Sequence, residues 1–153
     1  MAPCTVSLHI NAPPATVFAL ASDVRSWVGR VKAIKKVEVL TSGNVGLGTK
    51  WRETRMMFGR EATEKLEFVW WSVGKSYAVG CESCGAKYRT TFEFIPEDGG
   101  TLVKVSMVVK PVTFFAKLMS PLGALMMGGM KKCLLGDLED LKREIESGGA
   151  APA

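Results

Sequence analysis

Three of the charged residues that stand among the aromatics of WRETRMMFGREATEKLEFVWW, the stretch from Trp51 to Trp71, could do chemistry together: Glu53, Arg55 and Glu64. Carboxylates beside a guanidinium can act as a general acid/base set with an anion stabiliser, or as a polar anchor for a ligand head group. Which of these is open to them depends on the way they face. With Gly59 and Arg60 as a two-residue turn, the stretch reads as a hairpin. Met57 then opposes Ala62, Arg55 opposes Glu64, Glu53 opposes Leu66 and Trp51 opposes Phe68. Directly opposed residues share a face, so these residues and Trp70 are expected on the core side. Arg52, Thr54, Thr63, Lys65 and Glu67 fall on a solvated side, and a single bulge would reverse part of the assignment. Buried ions are costly unless paired and hydrogen-bonded. Two glutamates against one arginine leave a surplus carboxylate, either protonated or solvated in a wet cavity. The competing reading is an Arg55–Glu64 cross-strand pair that serves only folding.

Other chemistries are weaker. Cys81 and Cys84 form a C-x-x-C, but no second pair accompanies them and His9, the single histidine, is distant. ESCG reads as a turn between strands, so neither a zinc site nor a redox dithiol is expected. His9 should point outward, because Val6, Leu8 and Ile10 form the apolar face of its segment. The glycine-rich TSGNVGLG has no G-K-[ST] after it and leads into a strand, which leaves a phosphate without its helix N-terminus. No Ser/His/Asp set, Cys/His nucleophile or metal cluster is legible, and neither metal nor cofactor is expected.

The elements that must position the charged trio follow from periodicity. TVSLHINA alternates as a half-buried strand. PPATVFALASD is a short helix opened by proline, and VRSWVGRV a second one around Trp27. Strands follow at KKVEVL, in both arms of the hairpin, at KSYAVGCE, at AKYRTTFEFIP and at TLVKVSMVV, with EDGG a tight turn. Beyond Pro111 the pattern turns helical, first in VTFFAKLM. A long helix capped by Ser120 and opened by Pro121 then runs to about Ile145, with Leu134, Leu138, Leu141 and Ile145 on one stripe. The result is an α+β chain: an antiparallel sheet covered by a late amphipathic helix. Residues 1–146 are expected to form one domain and residues 147–153 a disordered tail.

Further inward positions suggest a cavity between sheet and helix. Tyr88, Thr90, Phe92 and Phe94 share one face, as do Val103, Val105, Met107 and Val109. The covering helix offers LGALMMGGM, where Gly128 and Gly129 leave a bare patch beside Met126, Met127 and Met130. Methionines adapt to varied apolar shapes. The candidate ligand-binding set is therefore Trp51, Glu53, Arg55, Met57, Glu64 and Leu66, with Phe68, Tyr88, Phe92, Met107, Met126 and Met130.

Of the 153 residues, 47% are hydrophobic and 23% charged, as in a globular domain. The net charge of +5 is not gathered in a tail, so nucleic acid is not an indicated partner. The basic run RSWVGRVKAIKK leaves a transient membrane-surface contact open. No signal peptide or spanning helix is legible, and a cytoplasmic protein, monomeric or homodimeric, is expected.

On INAPPATVFALASDVRSW, GLGTKWRETRMMFGREATEKLEF, AKYRTTFEFIPEDGGTLVKV and LGDLEDLKRE, the chain resembles the SRPBCC superfamily of START-like, birch-pollen-allergen-like helix-grip proteins. It is most similar to members of the polyketide cyclase/dehydrase and lipid transport type. The resemblance implies a curved seven-stranded antiparallel sheet gripping a long C-terminal helix, two short helices after the first strand, and a hydrophobic cavity. Its third-strand pattern falls on Trp51 and Glu53, with Arg55 following. CESCGAKY departs from it at Cys84. The implied function is binding or transport of a lipid, isoprenoid or polyketide-like molecule. The alternative is a cyclase or dehydratase using Glu53 or Glu64 as acid/base and Arg55 as anion stabiliser.

Overall fold

The computed structural model describes residues 3–57, 59–83, 85–118 and 127–147. Strand β1 (Cys4–Ile10) leads into helix α1 (Pro14–Ala21) and a single 3-10 turn (Val24–Ser26). Six strands follow: β2 (Ile34–Val39), β3 (Lys50–Met57), β4 (Arg60–Ser72), β5 (Ser76–Ser83), β6 (Ala86–Glu97) and β7 (Gly100–Pro111). A short helix α2 (Phe114–Leu118) and the long α3 (Met127–Glu146) close the described chain. All strand pairs are antiparallel in one seven-stranded sheet of order β1-β7-β6-β5-β4-β3-β2. This is the expected α+β helix-grip, except that the second short helix shrinks to one 3-10 turn.

Local chemistry accounts for the elements. Pro13 and Pro14 start α1 where a missing N–H costs nothing, and Val17, Phe18, Leu20 and Ala21 bury its inner face. The β6–β7 connection is the expected Asp-Gly turn, with Asp98 at φ 48° and Gly99 at φ 76°. Along α3, Leu134, Leu138 and Ile145 are buried and Leu141 packs against them. Polar pins hold this helix in place. The Asn11 N–H donates to Glu146 Oε2 at 2.8 Å, Lys142 Nζ donates to the His9 carbonyl at 3.1 Å, and the Lys32 N–H donates to Asp140 Oδ2 at 2.9 Å.

Two details of the β3–β4 hairpin correct the sequence reading. Met57 pairs with Arg60, so the turn lies one residue earlier than expected and the register moves by two. A shift of two preserves every face but changes every partner. Glu53 now opposes Glu64, Arg55 opposes Ala62 and Trp51 opposes Leu66. The expected Arg55–Glu64 opposition is not formed. Further on, a bulge between Phe68 and Trp70 turns Trp70 outward, half exposed, where it was expected inside. Trp71 takes the inner place, 5.0 Å from the Phe68 ring and 5.1 Å from the Phe18 ring. Gly80 favours the bulge, because a Cβ there would sit 2.9 Å from Val69 Cγ1.

Ser120, Pro121, Met126 and Cys84 lie outside the described residues, as does the tail beyond Ser147 and the side chain of Met57. Gly128 meets open, exposed space rather than a cavity wall.

Candidate functional site

A cavity of about 240 Å³ opens between the concave sheet face, α3 and the segment that follows α1. Its floor is aromatic. Trp51, Tyr77 and Phe92 line it, and Tyr77 stacks on Phe92 with centroids 4.7 Å apart. Met107 from β7 and Met130 from α3 add flexible apolar wall. Fully buried Phe68 lies behind the floor, 4.7 Å from the Trp51 ring, rather than on the lining. Tyr77 Oη donates to the Ala21 carbonyl at 3.2 Å, and burial, with Asp137 nearby, pushes its phenol pKa well up. It is a neutral strut at neutral pH.

The other end of the cavity is polar. Glu53 and Arg55 arrive from alternate positions of β3, Glu64 from the facing position of β4, and Asp137 from α3. Arg55 Nε donates to Glu53 Oε2 at 2.9 Å, and its terminal nitrogen donates to Asp137 Oδ2 at 3.0 Å. The guanidinium thus ties sheet to helix. Its side chain is 15% exposed and that of Glu53 8%, so the pair is nearly dry. Burial opposes the Arg55 charge, but Asp137 and Glu53 outweigh it and hold the pKa above its ordinary value.

Asp137 is the unusual acid. Burial pushes its carboxyl up to about 6 against the pull of Arg55, with Glu53 and Asp140 adding to the rise. Glu64 takes different partners: Ser83 Oγ donates to it at 2.8 Å and Cys81 Sγ approaches at 3.9 Å. Like charges on facing residues disfavour a strand pair. Here the two glutamates turn to separate donors, which relieves the conflict. The Cys81 thiol is pushed to about 11, by burial first and then by Glu64 and Glu53. It is a poor nucleophile at neutral pH. One buried polar atom of a lining residue has no partner among the described residues, the indole N–H of Trp51.

At the rim, Arg30 Nε sits 3.6 Å from Glu144 Oε1, both side chains about one-third exposed. Asp140, buried, receives both the Lys32 N–H and Arg143. These contacts fasten the segment after α1 to the helix and close that side of the cavity.

Of the twelve residues expected from sequence, Trp51, Glu53, Arg55, Glu64, Leu66, Tyr88, Phe92, Met107 and Met130 line the cavity. The Met57 side chain and Met126 fall outside the described residues. Sequence reasoning missed Asp137 and the rim pair Arg30–Glu144. A signal for Asp137 was present. It lies three residues after Leu134 and four before Leu141, so a carboxylate sits inside the apolar stripe of α3. Glu144 follows at seven, on the same face.

Among the described residues no group of three His, Cys, Asp or Glu could hold a metal ion, and no helix is long and apolar enough to cross a membrane. No curated protein matches the sequence. The family described as polyketide cyclase / dehydrase and lipid transport matches residues 1–146. Solved structures share the fold at low identity. A Thermus thermophilus protein superposes with TM-score 0.76 at 21% identity, covering 95% of this chain and 97% of its own. A START superfamily protein from Mycobacterium smegmatis gives TM-score 0.65 at 17% identity over 92% of this chain and 99% of its own. The di-domain ARO/CYC StfQ of the steffimycin biosynthetic pathway gives 0.76 at 11% identity, where 98% of this chain spans 53% of that one. Identity this low carries the architecture alone. With the family profile spanning nearly every residue of a hydrophobic ligand-binding fold, the chain belongs to the polyketide cyclase/dehydrase and lipid transport family.

Proposed function

We propose that this protein binds or carries an apolar small molecule of the lipid, isoprenoid or polyketide type, held between the sheet and α3. The observation behind this is the cavity itself: about 240 Å³ of space with an aromatic and methionine wall and one polar end. A domain that needed only a folding core would fill this space at crystal-like density. The flexible methionines suit a body of variable shape, and the Glu53–Arg55–Asp137 cluster orients it. The test is titration with the neutral fluorescent probe N-phenyl-naphthylamine, wild type against Ala62→Phe. Ala62 lines the cavity beside the polar end, and a phenyl ring there occupies ligand space. Saturable one-to-one binding that the variant loses supports the reading, whereas equal binding by a folded variant refutes it.

Acid–base catalysis is the second reading, and one observation favours it. Asp137, at about 6, is poised to exchange a proton near neutral pH at the polar end of the cavity. Here Asp137 takes the acid/base role first assigned to Glu53 or Glu64. A turnover limb near pH 6, removed by Asp137→Asn while probe binding persists, would support it.

A further inference from the structure

The cavity is acidic inside a basic protein. Among the described residues its wall carries four carboxylates, Glu53, Glu64, Asp137 and Glu144, and two guanidiniums, Arg30 and Arg55, a formal charge of −2. The whole chain carries +5. Both guanidiniums are already engaged, Arg55 by Glu53 and Asp137, and Arg30 by Glu144. An anionic head group would therefore meet surplus negative charge in a poorly solvated site, where such repulsion is least screened. Arg55, chemically the obvious anchor for a carboxylate, is spent.

A second observation is independent of the charges. Trp51 lines the cavity and is fully buried, and its indole N–H has no acceptor among the described residues. A buried donor left unsatisfied destabilises the empty site until an acceptor arrives. Trp51 and Glu53 are alternate residues on the same face of β3, and both line the cavity.

We infer that the cavity takes an apolar alcohol or phenol and discriminates against the corresponding carboxylate, the ligand hydroxyl accepting from Trp51 Nε1 and donating to a wall carboxylate. The inference rests on the cavity being a ligand site, as proposed above. A bare hydrocarbon leaves donor and acceptors unserved. A carboxylate serves the indole but opposes the wall charge. An ammonium serves the wall but has no lone pair for the indole.

The experiment is calorimetric titration of the full chain at neutral pH with three probes of matched size: naphthalene-ethanol, ethylnaphthalene and naphthaleneacetate. The alcohol is expected to bind about tenfold tighter than either of the others, on the scale of one hydrogen bond. Trp51→Phe should bring the alcohol down to the hydrocarbon's affinity. Glu64→Gln, which retains the Arg55 cluster, should strengthen naphthaleneacetate and leave ethylnaphthalene unchanged. The Glu64→Gln comparison suffices if Trp51→Phe does not fold. Naphthaleneacetate binding as tightly as the alcohol, or ethylnaphthalene matching the alcohol, overturns the inference and leaves the cavity a ligand site. If no probe binds to folded protein, the ligand-site reading falls with it.

Discussion

Replacing Asp137 by asparagine should change how stability depends on pH, and the size follows from the carboxyl's surroundings. Its pKa rises from an ordinary 3.8 to about 6 on folding, mainly through burial. Between those values the folded protein holds a proton that the unfolded chain has released. Stability therefore falls as pH rises through this window, since the slope takes the sign of protons bound unfolded minus folded. Below about pH 4 both states are protonated and the penalty is absent; above about pH 6 it is fully present. At about 1.4 kcal/mol for each tenfold shift in proton affinity, the window holds up to roughly 3 kcal/mol. The Asp137 side chain is 26% exposed, which makes this an upper figure. Asparagine keeps an acceptor for Arg55, while Glu53 still neutralises the guanidinium. Relative to wild type, Asp137→Asn should thus gain about 2–3 kcal/mol between pH 4 and pH 7. Urea unfolding of both proteins across that range reads the difference directly. Parallel stability curves would refute the argument, because they would mean that Asp137 ionises as an ordinary exposed carboxylate does.

Arg55→Met should be the opposite case. It strands Glu53 and Asp137 together, and at neutral pH it should cost about 3–5 kcal/mol, measured by the same unfolding. The loss should shrink toward pH 5, as a carboxylate of the pair protonates. Leu138→Ala opens the packing of α3 at a residue 1% exposed, so a loss of about 2–5 kcal/mol is expected in thermal or urea melts. Trp70→Thr removes the indole N–H donation to Ser76 Oγ at 2.9 Å on the outer face and should cost about 1 kcal/mol, less than Leu138→Ala. Cys81 should react slowly with iodoacetamide at neutral pH, and faster in Glu64→Gln, as followed by peptide mass spectrometry.

The sequence alone was enough for the architecture and for the inward-facing residues of β3, but not for Trp70 of β4. Strand alternation, the proline start of α1, the Asp98–Gly99 turn and the Leu134–Leu138–Leu141–Ile145 stripe are local signals, each set by a period or a dihedral requirement. Side-chain facing along β3 survived a wrong turn position because the register error was two, and a strand repeats every two residues. The same error was fatal to the choice of partners. Whether Arg55 meets Glu64 or Ala62 depends on one residue in the turn, and a hydrophobic pattern cannot distinguish the two. The bulge that exposes Trp70 sets Val69 against Gly80 of the next strand, which pattern reading along β4 alone does not consult. The decisive partner, Asp137, lies 82 residues from Arg55 and reaches it only because α3 and β3 line the same cavity. Periodicity can mark a carboxylate within an apolar stripe, but tertiary packing decided which charge it meets. By giving Arg55 two acids, that packing made the polar end of the cavity negative.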